Sequence, residues 1–128
     1  MNREPERRRV FVYGSLLRGE PNHPVIERAE LVGAATTPPR FTLHDLGAFP
    51  AMIEGGEHAI VGEVYEVDQA TLTALDRLEG HPRFYRRTPI ALADGSAAET
   101  YVLTRAQVVG RPVVSTGSWR AHRKARLR

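Results

Sequence analysis

The sequence predicts an α+β fold, a small curled sheet of mostly antiparallel or mixed strands, barrel-like, with one main helix. Three observations lead there. Short β-rich apolar runs recur along the chain between glycine and proline breaks. One segment alone, 69–79, carries a clean helical pattern. Strands and helices do not alternate regularly, so a parallel βαβ sheet is not indicated. With 128 residues, 41% of them apolar and 26% charged, the chain suits one soluble domain with a single core. That domain is expected over 10–119, with 1–9 and 120–128 as basic tails of no predicted order.

Val10-Phe11-Val12-Tyr13 reads as a buried first strand that ends at Gly14-Ser15. Pro21 and Pro24 punctuate a loop, and 24–28 predicts a short helix with proline in its first turn. Strands are expected at 31–37, 41–46 and 51–54, separated by Pro38-Pro39, by 47–50 and by Gly55-Gly56. Over 60–67 the side chains alternate, Ile60, Gly62 and Val64 on one face and Val61, Tyr65 and Val67 on the other. Asp68 then caps a helix whose Leu72, Leu75 and Leu78 share one face, and Gly80 stops it. Strands at 84–92 and 98–104 meet in a hairpin at Asp94-Gly95. Beyond Gly110 the chain reads as irregular around Trp119.

The sequence pI of about 9.8 invites a nucleic-acid reading, and the placement of charge argues against it. Residues 120–128 carry five basic side chains and no acid, whereas the body, 10–119, has nine arginines against thirteen acids. The basicity lies in the tails. With no cysteine there is no disulfide framework, thiolate metal site or cysteine nucleophile. No stretch approaches the ~20 apolar residues that span a bilayer, and the charged start lacks a secretory pattern, so a cytoplasmic location is expected. The histidines at 23, 44, 58, 81 and 122 form no ligand spacing, and no metal is expected. No glycine loop of the nucleotide-binding kind is present.

Two places carry chemistry. Gly14 and Ser15 follow directly on a buried strand. Either their successive backbone N–H groups hold an anion or oxyanion, or the turn simply needs glycine for its φ angle. Ser15 does not sit in a Gly-x-Ser-x-Gly elbow, because Tyr13 and Leu17 occupy the flanking positions. Glu79 is the last helical residue before Gly80, where the helix's negative end and any burial both raise a carboxyl pKa toward proton-transfer range. The plainer reading is a solvated glutamate paired with Arg77, Arg83 or Arg86. His81 lies beside it.

Taken together, four dispersed blocks resemble the γ-glutamylcyclotransferase-like family, which includes the AIG2-like proteins. Val12-Tyr13-Gly14-Ser15-Leu16 is similar to its signature loop. Gly62-Glu63-Val64-Tyr65-Glu66-Val67 resembles the strand before its helix. Leu75-Asp76-Arg77-Leu78-Glu79-Gly80 followed by Tyr85-Arg86-Arg87 resembles its second block, and Ser115-Thr116-Gly117-Ser118-Trp119 its closing element. Arg18-Gly19-Glu20-Pro21-Asn22-His23 is also similar to the loop of γ-glutamylamine cyclotransferases. The resemblance implies a cofactor-independent enzyme that releases 5-oxoproline and a free amine from a small γ-glutamyl substrate. It implies Glu79 as catalytic acid/base and Tyr13, Gly14, Ser15, Leu16 and Tyr85 as substrate-binding residues. Other readings are a family member that binds without turnover, and a nucleic-acid binder acting through its basic tails.

Overall fold

The computed structural model describes residues 7–126. Its elements run β1 (Arg8–Val12), β2 (Glu30–Thr36), β3 (Phe41–Asp45), β4 (Pro50–Glu54), β5 (Val61–Val67), α1 (Gln69–Glu79), β6 (Arg86–Ala91), β7 (Ala97–Leu103) and α2 (Trp119–Arg126). All seven strands form one mixed sheet in the order β2-β5-β1-β7-β4-β3, with β6 also paired to β7. The sheet forks at β7. Near its start, Glu99 lies opposite Val10 of β1; further on, Val102 and Leu103 lie opposite Met52 and Ile53 of β4. This sharing is possible because β1 ends at Val12 and the chain turns away at Gly14, which frees the edge of β7 for β4. Among the described residues no ladder joins β2 to β3, so the sheet stays open where the sequence suggested a barrel. The α+β expectation holds.

Side chains alternate between two cores on opposite faces of the sheet. Val10, Val12, Ile53, Tyr65, Val67, Tyr101 and Leu103 pack with Leu72 and Leu75 of α1. Phe11, Tyr13, Met52, Val64 and Val102 pack on the other side with Trp119 of α2. Both faces of β1 are therefore covered, which is why it reads as a continuous apolar run and not as an alternating one.

Helix α1 has the ends its sequence specifies. The Asp68 carboxylate accepts the Thr71 N–H at 2.8 Å. At the other end Gly80 is left-handed (φ 67°), and the N–H groups of Gly80 and His81 close onto the carbonyls of Arg77 and Asp76. The short helix expected at 24–28 is instead a single 3-10 turn, His23–Val25. The C-terminal tail also departs from expectation, since residues through 126 form a docked helix. Ser118 Oγ accepts the Ala121 N–H at 3.2 Å and caps it. Trp119, His122, Arg123 and Arg126 fall at i, i+3, i+4 and i+7, one stripe, and that stripe meets acids of the body.

Candidate active site

A cavity of about 190 Å³ opens at the fork of the sheet, between the turn after β1, the start of β4 and the end of α1. Tyr13 sits in the fork. Its hydroxyl donates to the Tyr101 carbonyl of β7 at 2.6 Å and accepts the Met52 N–H of β4 at 3.0 Å. It thereby satisfies two backbone groups at the point where the strands diverge. Tyr85 braces the opposite wall, its hydroxyl donating to the Pro50 carbonyl at 2.7 Å. The Tyr85 N–H donates to the Glu79 carbonyl at 3.1 Å, which ties that wall to the helix end.

Glu79 is half-buried and is, among the described residues, the one charged side chain lining the cavity. Burial alone lifts its carboxyl from 4.5 to about 7. The ion pair with Arg77, Arg83 or Arg86 that the sequence allowed does not form among the described residues, where the nine ion pairs leave Glu79 out. A carboxyl held near neutrality and free of a cation can both take up and release a proton around pH 7.

Gly14, Ser15 and Leu16, in the turn after β1, line the same cavity. Leu17 N–H donates to the Gly14 carbonyl at 3.0 Å, and Asn22 pins Ser15 twice, backbone to backbone at 2.8 Å and Nδ2 to Oγ at 2.9 Å. Among the described residues the N–H groups of Gly14, Ser15 and Leu16 have no backbone acceptor. Consecutive unpaired amides beside a cavity suit an anionic oxygen. Gly14 is not at positive φ, so conformational freedom does not explain it. Space does: a Cβ there would lie 2.5 Å from Pro50 Cγ. Ser15 Oγ accepts from the Asn22 amide, a group that cannot take its proton, and among the described residues no base is hydrogen-bonded to the serine.

The three phenols of the cavity are neutral walls. Burial, with smaller contributions from neighbouring groups, pushes Tyr13, Tyr85 and Tyr101 above the usual tyrosine pKa. Each has also committed its single proton, Tyr13 and Tyr85 to carbonyls and Tyr101 to Asp76 Oδ1 at 2.7 Å. Tyr13 and Tyr85 can therefore offer a bound molecule ring surface and oxygen lone pairs but no donor.

All six residues singled out from the sequence, Tyr13, Gly14, Ser15, Leu16, Glu79 and Tyr85, line this one cavity. Sequence reasoning missed Asn22, Phe49, Pro50 and Tyr101, which line it as well. It placed Leu78 on one helix face with Leu72 and Leu75; those two are buried, whereas Leu78 is 42% exposed and forms part of the cavity rim. His81 does not line the cavity; its Nδ1 accepts the Arg87 N–H at 2.9 Å. No group of three or more His, Asp or Glu among the described residues is placed to hold a metal ion. No helix among them is long and apolar enough to cross a membrane.

Comparison with known proteins places this site in context. The Escherichia coli K12 protein YtfP, described as a γ-glutamylcyclotransferase family protein, is 36% identical over 111 residues, covering 87% of this chain and 95% of YtfP. A rat γ-glutamylaminecyclotransferase is 39% identical over 90 residues, covering 63% of this chain and 60% of its own length. Among solved structures, a uropathogenic E. coli-specific protein superposes with a TM-score of 0.82 at 25% identity, covering 93% of this chain and 97% of that one. The family model described as "Gamma-glutamyl cyclotransferase, AIG2-like" matches residues 10–121, a span that contains every cavity residue named above. The chain belongs to the AIG2-like γ-glutamyl cyclotransferase family.

Proposed function

We propose that this protein is a γ-glutamyl cyclotransferase that converts a γ-glutamyl amine or amide into 5-oxoproline and the free amine, with Glu79 as general acid/base. The observation that carries the reading is a cavity lined both by a turn of open amides and by a carboxyl with a pKa of about 7 that, among the described residues, is unpaired and is the one charged side chain there. The substrate brings its own nucleophile. Its α-amino nitrogen attacks the γ-carbonyl carbon and closes a five-membered lactam, and the bond to the leaving nitrogen breaks. The ammonium loses two protons in becoming the lactam N–H; Glu79 takes them one at a time and hands them to the leaving nitrogen, which departs as its ammonium, so no water is consumed and no cofactor is called for.

The amides of 14–16 bind a substrate oxygen, either the α-carboxylate or the developing oxyanion. Tyr13, Tyr85 and Tyr101 shape the walls and exclude water. Holding amine and carbonyl in attack geometry is worth ~7–11 kcal/mol in well-oriented systems, more than proton transfer supplies. The half-buried Phe49 and the exposed Leu78 leave room at the rim for the leaving amine. The name of the rat relative, and the likeness of 18–23 to the loop of γ-glutamylamine cyclotransferases, favour an amine over an amino acid as the leaving group. A role for the C-terminal segment in holding phosphates is disfavoured, because Arg120, Arg123 and Arg126 are all engaged with the body.

Screening a panel of γ-glutamyl amines, amino acids and peptides for 5-oxoproline release tests this reading. Release from at least one class supports it, and tight binding without release across the panel overturns it in favour of a non-catalytic member. Ser15→Ala is expected to lower kcat/KM less than about 10-fold, since the backbone N–H and not the hydroxyl serves the substrate. Ser15→Pro removes that N–H and is expected to abolish turnover. A loss with alanine approaching the ~10⁶-fold typical of a deleted nucleophile would mean covalent serine chemistry instead.

A further inference from the structure

We infer that α2 is a strap holding both lips of the cavity, with His122, Arg123 and Arg126 as positioning residues for substrate binding. The inference rests on the cavity being the γ-glutamyl site. One lip is the turn that runs from Gly14 to Asn22. Arg123 pairs with the Glu20 carboxylate there, and the Arg120 guanidinium reaches the Arg18 carbonyl. Arg120 also lies 3.8 Å from Glu63, which accepts the Arg18 N–H at 2.9 Å and so fastens the same turn from beneath.

The second lip is 45–50, which ends in the cavity-lining pair Phe49 and Pro50. Asp45 Oδ2 receives His122 Nε2 at 2.7 Å and Arg126 Nη1 at 2.9 Å, while its Oδ1 accepts the Gly47 N–H at 2.7 Å. Arg126 also donates to the Gly47 carbonyl at 3.1 Å. The helix is anchored by Trp119, 2% exposed in the core, with the His122 ring stacked on it at 5.7 Å and the Arg126 guanidinium 5.5 Å above its ring. One short helix thus touches both segments that bound the cavity, though the two are far apart in sequence.

The Arg123 and Arg126 side chains of these pairs are 38% and 44% exposed, so the pairs add little to global stability although their carboxylates are 11% exposed. Their effect is local, because loops open at far lower cost than core strands, and a few side-chain contacts decide how much of the time they are in place. His122, Arg123 and Arg126 lie beyond residues 10–121, the span matched by the family model, while the anchoring Trp119 and Arg120 lie within it.

The test uses the full chain with His122→Ala, Arg123→Ala and Arg126→Ala combined, and separately Arg123→Glu with and without Glu20→Arg. Amide hydrogen exchange is followed at 14–20, at 45–49 and in strands β1 and β5. The strap predicts exchange faster by on the order of 10-fold at both lips of the triple variant, with the two strands unchanged. It predicts that Glu20→Arg added to Arg123→Glu restores protection at 14–20. It also predicts a KM raised roughly 5- to 10-fold with kcat nearly unchanged, short of the ~100-fold that a 1 Å misplacement can cost. Unchanged exchange at the lips overturns the inference, as does an equal rise everywhere, which would mark plain destabilisation. Looser lips with an unaltered KM overturn the positioning role. Should the wild type release no 5-oxoproline, the functional reading fails while the exchange measurement still decides whether α2 straps the cavity.

Discussion

Glu79→Gln is expected to fold normally and to lose essentially all release of 5-oxoproline. Glutamine keeps the volume and helix propensity of glutamate, so α1 and its closure at Gly80 should persist. The amide cannot accept and return a proton near pH 7, and a positioned general acid/base is typically worth 10²–10⁴-fold, so a fall of at least about 100-fold is expected. Stability should move the other way. The folded-state pKa of about 7 lies above the ordinary 4.5, so between those values the native state holds a proton that the unfolded chain has released. The stability this proton contributes is full below about 4.5 and is lost as the pH rises through about 7. Glutamine avoids that loss, and at pH 8 the variant should be more stable than wild type by about 1–3 kcal/mol, with partial exposure of the site discounted. Denaturant melts at pH 5 and pH 8, with turnover measured on the same preparations, check both halves. A folded variant that keeps more than a tenth of wild-type turnover would remove Glu79 from the mechanism.

Gly14→Ala is expected to be nearly as damaging, for a steric reason. The added Cβ would fall 2.5 Å from Pro50 Cγ and 2.7 Å from Cδ. Neither atom can rotate aside, since both belong to the proline ring, so the turn and β4 must separate. Overpacking of this kind costs about 1–3 kcal/mol. The separation also disturbs Pro50, whose carbonyl holds the Tyr85 hydroxyl, and the amides of 14–16 move away from Glu79. A displacement near 1 Å can cost ~100-fold in rate. A lowered melting temperature with at least that loss of kcat/KM is the expected result. An alanine variant with wild-type stability and turnover would show that the turn tolerates a side chain and that the close approach to Pro50 is not needed.

The parts of this fold written in local sequence were readable. Helix α1 has its start signal, Asp68, and its stop signal, Gly80, directly beside its own segment, and its bounds came out as read. Strand β1 announced its double burial by having no polar residue from Val10 to Tyr13. The site was legible in outline because Glu79 and the Tyr13–Leu16 segment each sit at the end of an element, where a chain leaves its sheet or helix and can border a cavity. What depended on distant partners was not readable. The contact stripe of α2 has helical spacing, but three of its four members are polar and read as solvated until Glu20 and Asp45 are seen opposite them. The reason for glycine at position 14 is a proline on another strand, and the φ argument available from sequence pointed elsewhere. Tyr13 and Tyr85 were expected to bind substrate, and that their protons are committed to backbone carbonyls depends on strands the local sequence does not name.

The central claim is that Glu79 titrates near neutrality and that its proton is the one transferred. The pH dependence of kcat/KM for 5-oxoproline release tests it most directly, because that quantity reports the ionisation of the free enzyme. The base form is required, so log kcat/KM should rise with unit slope through the acid range and level off at about 7. The residual activity of Glu79→Gln should lack that inflection. An acid limb breaking near the ordinary 4.5, or an inflection at 7 that survives in Glu79→Gln, would contradict the account.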